Sequence, residues 1–225
     1  MPPKNPWKNI SWQNTIANVD KCHVAPFFVG MGKSATQQLH NALLPEPFHG
    51  DLNANVYLLN GNPGFSDKDY KLIGDKTIES HIQDTLTQKP AHVPMMWLDS
   101  NFNGNPAYKW WTQKLKNITL HKPNPKICVI EYIPYHSKSL PSLPPLPSDA
   151  FVDWWIRDAM LKDKWIIIMR CKKQWLNRIP QLTAYPKLLE CTNPQNPVVS
   201  SSNLIYSATG NNISPSVWNK ILSLL

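Results

Sequence analysis

The sequence predicts an α/β protein: a three-layer α/β/α sandwich around a central, mainly parallel four-stranded sheet. Three observations carry this. The apolar runs are short and continuous instead of alternating, which marks strands buried on both faces. Segments with helical spacing and helix-start signals lie between them. No internal repeat or linker divides the 225 residues, a length that one hydrophobic core can serve, so residues 1–225 read as a single domain. Its first fifty residues are expected to form a helical extension packed on the rest.

The strands are Val56-Tyr57-Leu58-Leu59, Ile127 to Ile133, Trp165 to Met169, and the weaker Pro197-Val198-Val199. Between them, Asp69 to Thr87 is helix-like with a weak point at Gly74. Pro106 to Asn117 is helical, with Pro106 in the first turn, where its missing N–H costs nothing. Ser148 can cap a helix through Ala150–Arg157. Lys172 to Ile179 follows the third strand, and Ser214-Pro215 opens a last helix with a cap and a proline at the first position. The proline-dense stretch from Ser137 to Ser148 forbids regular structure and reads as a stiff loop within the domain.

Hydrophobic residues make up 42% of the chain, so it folds, and the net charge of +8 suits a polyanionic partner, nucleic acid first. Its opening residues lack a signal-type apolar stretch, and its densest apolar run, Trp165–Met169, is too short to span a bilayer. A cytoplasmic, monomeric protein without a membrane partner is expected. The four cysteines are scattered singly, with no metal-binding spacing, so no metal or cofactor is expected. The segment Val29-Gly30-Met31-Gly32-Lys33-Ser34 lacks the first glycine of a phosphate-binding loop, since position 27 is Phe27. Ten tryptophans, including Trp110-Trp111 and Trp154-Trp155, read as core or helix-packing residues.

In parallel α/β sheets, ligands bind beyond the carboxyl ends of the strands, so the residues just past each strand carry the functional information. After the first strand, Asn60-Gly61-Asn62-Pro63-Gly64-Phe65-Ser66 forms a tight turn that can hold Asn62 above the sheet. After the second, Pro134-Tyr135-His136-Ser137 brings an aromatic ring, an imidazole and a hydroxyl together. After the third comes Arg170-Cys171-Lys172-Lys173. After the fourth, Ser200, Ser201, Ser202 and Asn203 offer N–H groups and hydroxyls to a phosphate, with apolar Leu204 just beyond.

Taken together, the Asn62-Pro63-Gly64-Phe65-Ser66 strand end and the Val199-Ser200-Ser201-Ser202-Asn203-Leu204 segment resemble the uracil-DNA glycosylase superfamily. The nearest branch is the mismatch-specific uracil/thymine DNA glycosylases, whose first motif reads Gly-Ile-Asn-Pro-Gly. The likeness runs from about Asn53 to Tyr206. Here Asn60 and Gly61 occupy the approach to the motif, and the His-Pro-Ser-Pro motif of the main uracil-excising branch is absent.

The resemblance implies a monofunctional DNA glycosylase. Such an enzyme flips a base out of DNA and hydrolyses its N-glycosidic bond, in base repair or in removal of modified bases from phage DNA. It assigns Asn62 to positioning the water; His136, which does not align with the catalytic histidine of the main branch, is a second catalytic candidate by its place after the second strand. Gly61, Pro63, Gly64 and Phe65 would surround the base, with Phe65 stacked on it. Tyr135 and His136 can donate to a base carbonyl. Glu131 either accepts from an exocyclic amine or pairs with Arg170. Ser200, Ser201, Ser202 and Asn203 would hold flanking phosphates, Leu204 would fill the vacated stack, and Lys138, Arg170 and Lys172 would attract the backbone. The competing expectation is a nucleic-acid- or nucleotide-binding protein of the same fold without chemistry.

Overall fold

The computed structural model describes residues 1–31, 34–89 and 94–225. The phosphate-loop-like segment at 29–34 therefore lies partly outside the described residues, at Gly32 and Lys33.

The molecule is α/β, with six strands in one mixed sheet. The strands are β1 (Phe48–Gly50), β2 (Val56–Leu59), β3 (Ile127–Ile130), β4 (Trp165–Ile168), β5 (Leu188–Cys191) and β6 (Leu204–Tyr206), in spatial order β1-β3-β2-β4-β5-β6. The central four, β3-β2-β4-β5, are parallel, and β1 and β6 pair antiparallel at the two edges. Every residue of β2, β3 and β4 is buried, as their unbroken Val, Ile and Leu content requires of strands covered on both faces.

The sheet differs from the sequence expectation in two ways. It has antiparallel edges, and its fourth parallel strand is Leu188–Cys191, not Pro197-Val198-Val199. Pro197 has no N–H to give a ladder; Val199 is buried in a loop, where its N–H donates to the Lys114 carbonyl. Strand β5 carries a polar Glu190, half-buried beside Lys172 and Ser207, which interrupts the apolar signal.

The helices are α1 (Lys21–Val24), α2 (Lys76–Thr87), α3 (Pro106–Lys114), α4 (Lys116–Thr119), α5 (Asp149–Leu161), α6 (Lys172–Arg178) and α7 (Pro215–Ser223). The segment read as one helix from Asp69 is split. A 3-10 stretch, Asp67–Leu72, ends before Gly74, which takes a φ of 85° that other residues avoid. Asp75 then caps α2 by accepting from Thr77 and Ile78 N–H. Ser214 caps α7, with Pro215 at the first position. Ser148 stands before α5, but its hydroxyl does not bond the helix; it donates to Asp20 instead.

The first fifty residues are not a helical extension. Their regular structure among the described residues is α1, a 3-10 turn at Ala25–Phe27 and strand β1, because prolines at positions 2, 3, 6, 26, 45 and 47 break helical runs. They are nonetheless integral: Trp7, Ile10, Val24 and Leu39 belong to the same buried cluster as the sheet. The polar tie is Asp20, fully buried, which accepts from Tyr135 Oη at 2.8 Å, Ser148 N at 3.0 Å and Ser148 Oγ at 2.6 Å. No helix among the described residues is long and apolar enough to cross a membrane.

Removing the Asp20 carboxyl strands three donors in the core. Since an orphaned buried donor costs about 1–3 kcal/mol, Asp20→Ala is expected to lower stability by about 3 kcal/mol. Urea unfolding should show the midpoint falling with its slope unchanged.

Candidate functional site

Strand register assembles the site. Leu59 pairs with Ile130 and with Ile168, so the chain leaves β2, β3 and β4 at one level. This sets Asn60, Glu131 and Arg170 around a single opening at the carboxyl edge. From β2 the chain crosses first to β3 on one side and then back past β2 to β4 on the other, so the opening lies at the switch point where crevices form in such sheets.

A cavity of about 330 Å³ occupies this position. Its polar floor is made by Glu46, His49, Asn60, Asn62, Glu131 and His136. Trp12, Phe65, Trp97, Trp110 and Trp111 form an aromatic wall, and Lys138 and Arg170 stand among its lining residues. A cavity of about 150 Å³ accommodates a benzene ring, so this one has room for a single aromatic heterocycle and a substituent.

Asn62 is fixed by its turn. Its Nδ2 donates to the carbonyls of Pro63 and Ser137 and to Ser137 Oγ, each at 2.9 Å. Two carbonyl partners identify that atom as nitrogen, which leaves Oδ1 without a protein partner among the described residues. Ser137, fully buried, donates its own hydroxyl to the Ser139 carbonyl. Pro63 and Gly64 line the cavity beside Asn62. Gly61 does not: a Cβ there would lie 3.0 Å from Cys171 Sγ, so its smallness serves strand packing. Phe65 stacks on His40 with centroids 3.3 Å apart, and the Lys138 ammonium lies 5.7 Å from its ring centre. Burial, with the nearby charges of His136 and Lys138, lowers the His40 pKa to about 4, so this stacking partner is neutral at pH 7.

His136 lines the cavity with both nitrogens engaged. Nδ1 meets the Gly64 carbonyl at 2.8 Å; Nε2 meets the Leu44 carbonyl at 3.0 Å and Glu46 Oε1 at 3.2 Å. All three partners are oxygens that only accept, so the ring carries a proton on each nitrogen. Burial opposes this charge, but the hydrogen bond and charge of Glu46 outweigh it and raise the pKa. Glu46 is buried too; burial works against its charge, while His49 and His136 hold its carboxyl well below the usual range. Its Oε2 also takes the His49 imidazole at 2.9 Å and the Trp97 indole N–H at 2.8 Å.

Glu131 is 2% exposed and Asn60 3%. Asn60 Nδ2 donates to Glu131 Oε1 at 3.0 Å, while Glu131 Oε2 and Asn60 Oδ1 have no partner. The pairing of Glu131 with Arg170 does not form among the described residues. Burial pushes the Glu131 carboxyl up to about 7, against the Asn60 hydrogen bond.

Other residues singled out by the sequence lie elsewhere. Tyr135 is buried with its hydroxyl committed to Asp20 and does not line the cavity. Lys172 pairs with Glu190 at 2.6 Å. Ser200, Ser201, Ser202 and Asn203 form a turn before β6, not a helix start, and Asn203 is spent on Thr192, Asn193 and Val198. The turn sits on the same carboxyl edge, because Leu204 pairs with Cys191 at the end of β5, yet β6 is three strands from β2, roughly 14 Å away. Leu204 is not a wedge. It is fully buried in β6, so it cannot enter a base stack without leaving the core.

Four features of the cavity escape a sequence reading: Asn60 as a floor residue, the Glu46–His49 pair, Trp12, and the tryptophans as its wall. Only the i, i+3 spacing of Glu46 and His49 hints at a contact, and it lies in a segment without family likeness.

A carboxyl that titrates higher in the folded chain than in the unfolded one contributes stability below about pH 4.5 and loses it as pH rises through 7. Glu131→Gln removes that loss. It is expected to match the parent near pH 4 and to be more stable by up to about 3 kcal/mol at pH 8, as read by denaturant melts across that range. No family model, curated protein or solved structure matches the chain, so function is read from the geometry of this cavity.

Proposed function

We propose that the chain is a monofunctional DNA glycosylase that hydrolyses the N-glycosidic bond of a flipped base and leaves an abasic site. The observation that carries this is Asn62. Three acceptors pin its amide nitrogen and leave its carbonyl oxygen without a protein partner among the described residues, and the residue lines an aromatic-walled cavity sized for one heterocycle. An amide oxygen can orient water but cannot take its proton, which suits cleavage with a good leaving group, where positive charge develops on the sugar before water bonds. Phe65, backed by neutral His40, offers an aromatic surface that accepts any base.

The electrostatics suit DNA. The chain carries +8, and Lys138 and Arg170 line the cavity without carboxylate partners among the described residues. Exposed Ser201 and Ser202 lie farther along the same edge, where a neighbouring phosphate of the strand would run. With Leu204 in the core, no wedge is supplied from that turn, which favours targets that are unpaired or weakly paired and cheap to extrude. The β3-β2-β4-β5 order, with crossovers running in opposite directions from β2 and the right hand that parallel strands favour, supports a three-layer sandwich of glycosylase type.

One observation favours a second reading. His136 is tied on both nitrogens, so it neither takes nor gives a proton at its place in the cavity. A binder of the same fold, recognising a base without chemistry, fits that fact as well.

DNA strands carrying uracil, mismatched thymine, hypoxanthine or modified cytosines, incubated without metal and then heated in alkali, separate the two. The glycosylase should produce breaks at one target, and Asn62→Ala should slow them at least about 100-fold while DNA affinity stays within a few-fold. Absence of alkali-labile sites with every base leaves the binder.

A further inference from the structure

Two residues that line the cavity, Glu131 and Asn60, each carry a buried oxygen without a partner: Glu131 Oε2 and Asn60 Oδ1. They come from the first residues past β3 and β2, which lie side by side because Ile130 and Leu59 are in register. The Asn60 Nδ2 to Glu131 Oε1 hydrogen bond locks the two side chains together and leaves one oxygen of each free. Buried polar atoms left without a partner are costly, and native folds rarely tolerate two on a joined pair of side chains unless something else completes them.

We infer that Glu131 and Asn60 form a specificity pocket for a nucleobase bearing an exocyclic amine, with one amine hydrogen donated to each free oxygen. This rests on the base-binding reading of the cavity. An amine carries two hydrogens and fits two acceptors; the carbonyl that replaces it in an oxo base carries none and meets two oxygens. Cytosine and adenine therefore fit where uracil and hypoxanthine do not.

Protonation sharpens the choice. The charged and titratable groups facing Glu131 are Glu46 and His49 from the β1 side, and Arg170 and Cys171 from the end of β4. Among them the Glu131 carboxyl titrates at about 7. The amine needs it ionised, as an acceptor. An oxo base needs it protonated, so that Oε2 donates to the carbonyl. The two classes thus bind with opposite pH slopes. If only one form is competent, apparent affinity follows its fraction, which changes about tenfold between pH 6 and pH 8 for a group at about 7.

The test is equilibrium binding of matched nucleoside 5′-monophosphates to the full chain, cytidine against uridine and adenosine against inosine, by calorimetry or NMR titration at pH 6 and pH 8. The amino member of each pair that binds should tighten about tenfold from pH 6 to pH 8, and its oxo partner should weaken about tenfold. Glu131→Gln should abolish both slopes. With its Oε1 still accepting from Asn60, its Nε2 donates into the cavity, so the preference should turn toward the oxo base, which a merely structural carboxyl would not produce. Equal slopes for amino and oxo bases, stronger binding of the oxo member at pH 8, or no binding by any of the four overturns the proposal. The readout needs no bond cleavage. Amino-base binding without abasic product would defeat the glycosylase reading alone, and excision confined to uracil would defeat this one alone.

Discussion

The buried carboxylate of Glu46 is the interaction around which the site is organised. It takes hydrogen bonds from His49, His136 and Trp97, and so joins the N-terminal segment, the chain beyond β3 and the region before α3. His136, held as a cation by that carboxylate, passes its other N–H to the Gly64 carbonyl and fixes the turn that carries Asn62. A buried charge is tolerated only when fully paired, and losing one partner of such a pair costs about 3–5 kcal/mol. The N-terminal fifty residues are therefore part of the cavity's construction, even though they bear no likeness to a known motif.

That arrangement divides the labour within the site. The imidazole of His136 serves as a rigid cationic brace, and the acceptors left without a protein partner among the described residues are two amides and one carboxyl: Asn62 Oδ1, Asn60 Oδ1 and Glu131 Oε2. In the proposed function, recognition and water positioning would depend on preorganised dipoles beside an aromatic-walled space.

Much of the fold is legible in the sequence because β2, β3 and β4 are buried on both faces and leave unbroken apolar runs. The turn at Asn62-Pro63-Gly64 is equally plain, since proline and glycine declare a tight bend. What fails does so for physical reasons. Strand β5 hides behind Glu190, whose polarity is absorbed by Lys172 and Ser207. Val199 looks like a strand residue because burial alone, without a ladder, also favours an apolar side chain. Leu204 looks like a wedge because sequence gives its apolar character but not the direction it faces. The nearness of Asn60 to Glu131 is invisible until the register of β2 against β3 is known, seventy-one positions apart.

Both margins of the sheet end in three-residue antiparallel strands, β1 and β6. So short a margin presents too few open amide and carbonyl groups to template a foreign chain. The aliphatic parallel ribbon between them, which would readily recruit copies of itself if left bare, is capped on its left and right. Lengthening either cap would give the molecule a route to fibrous self-association that its present outline withholds.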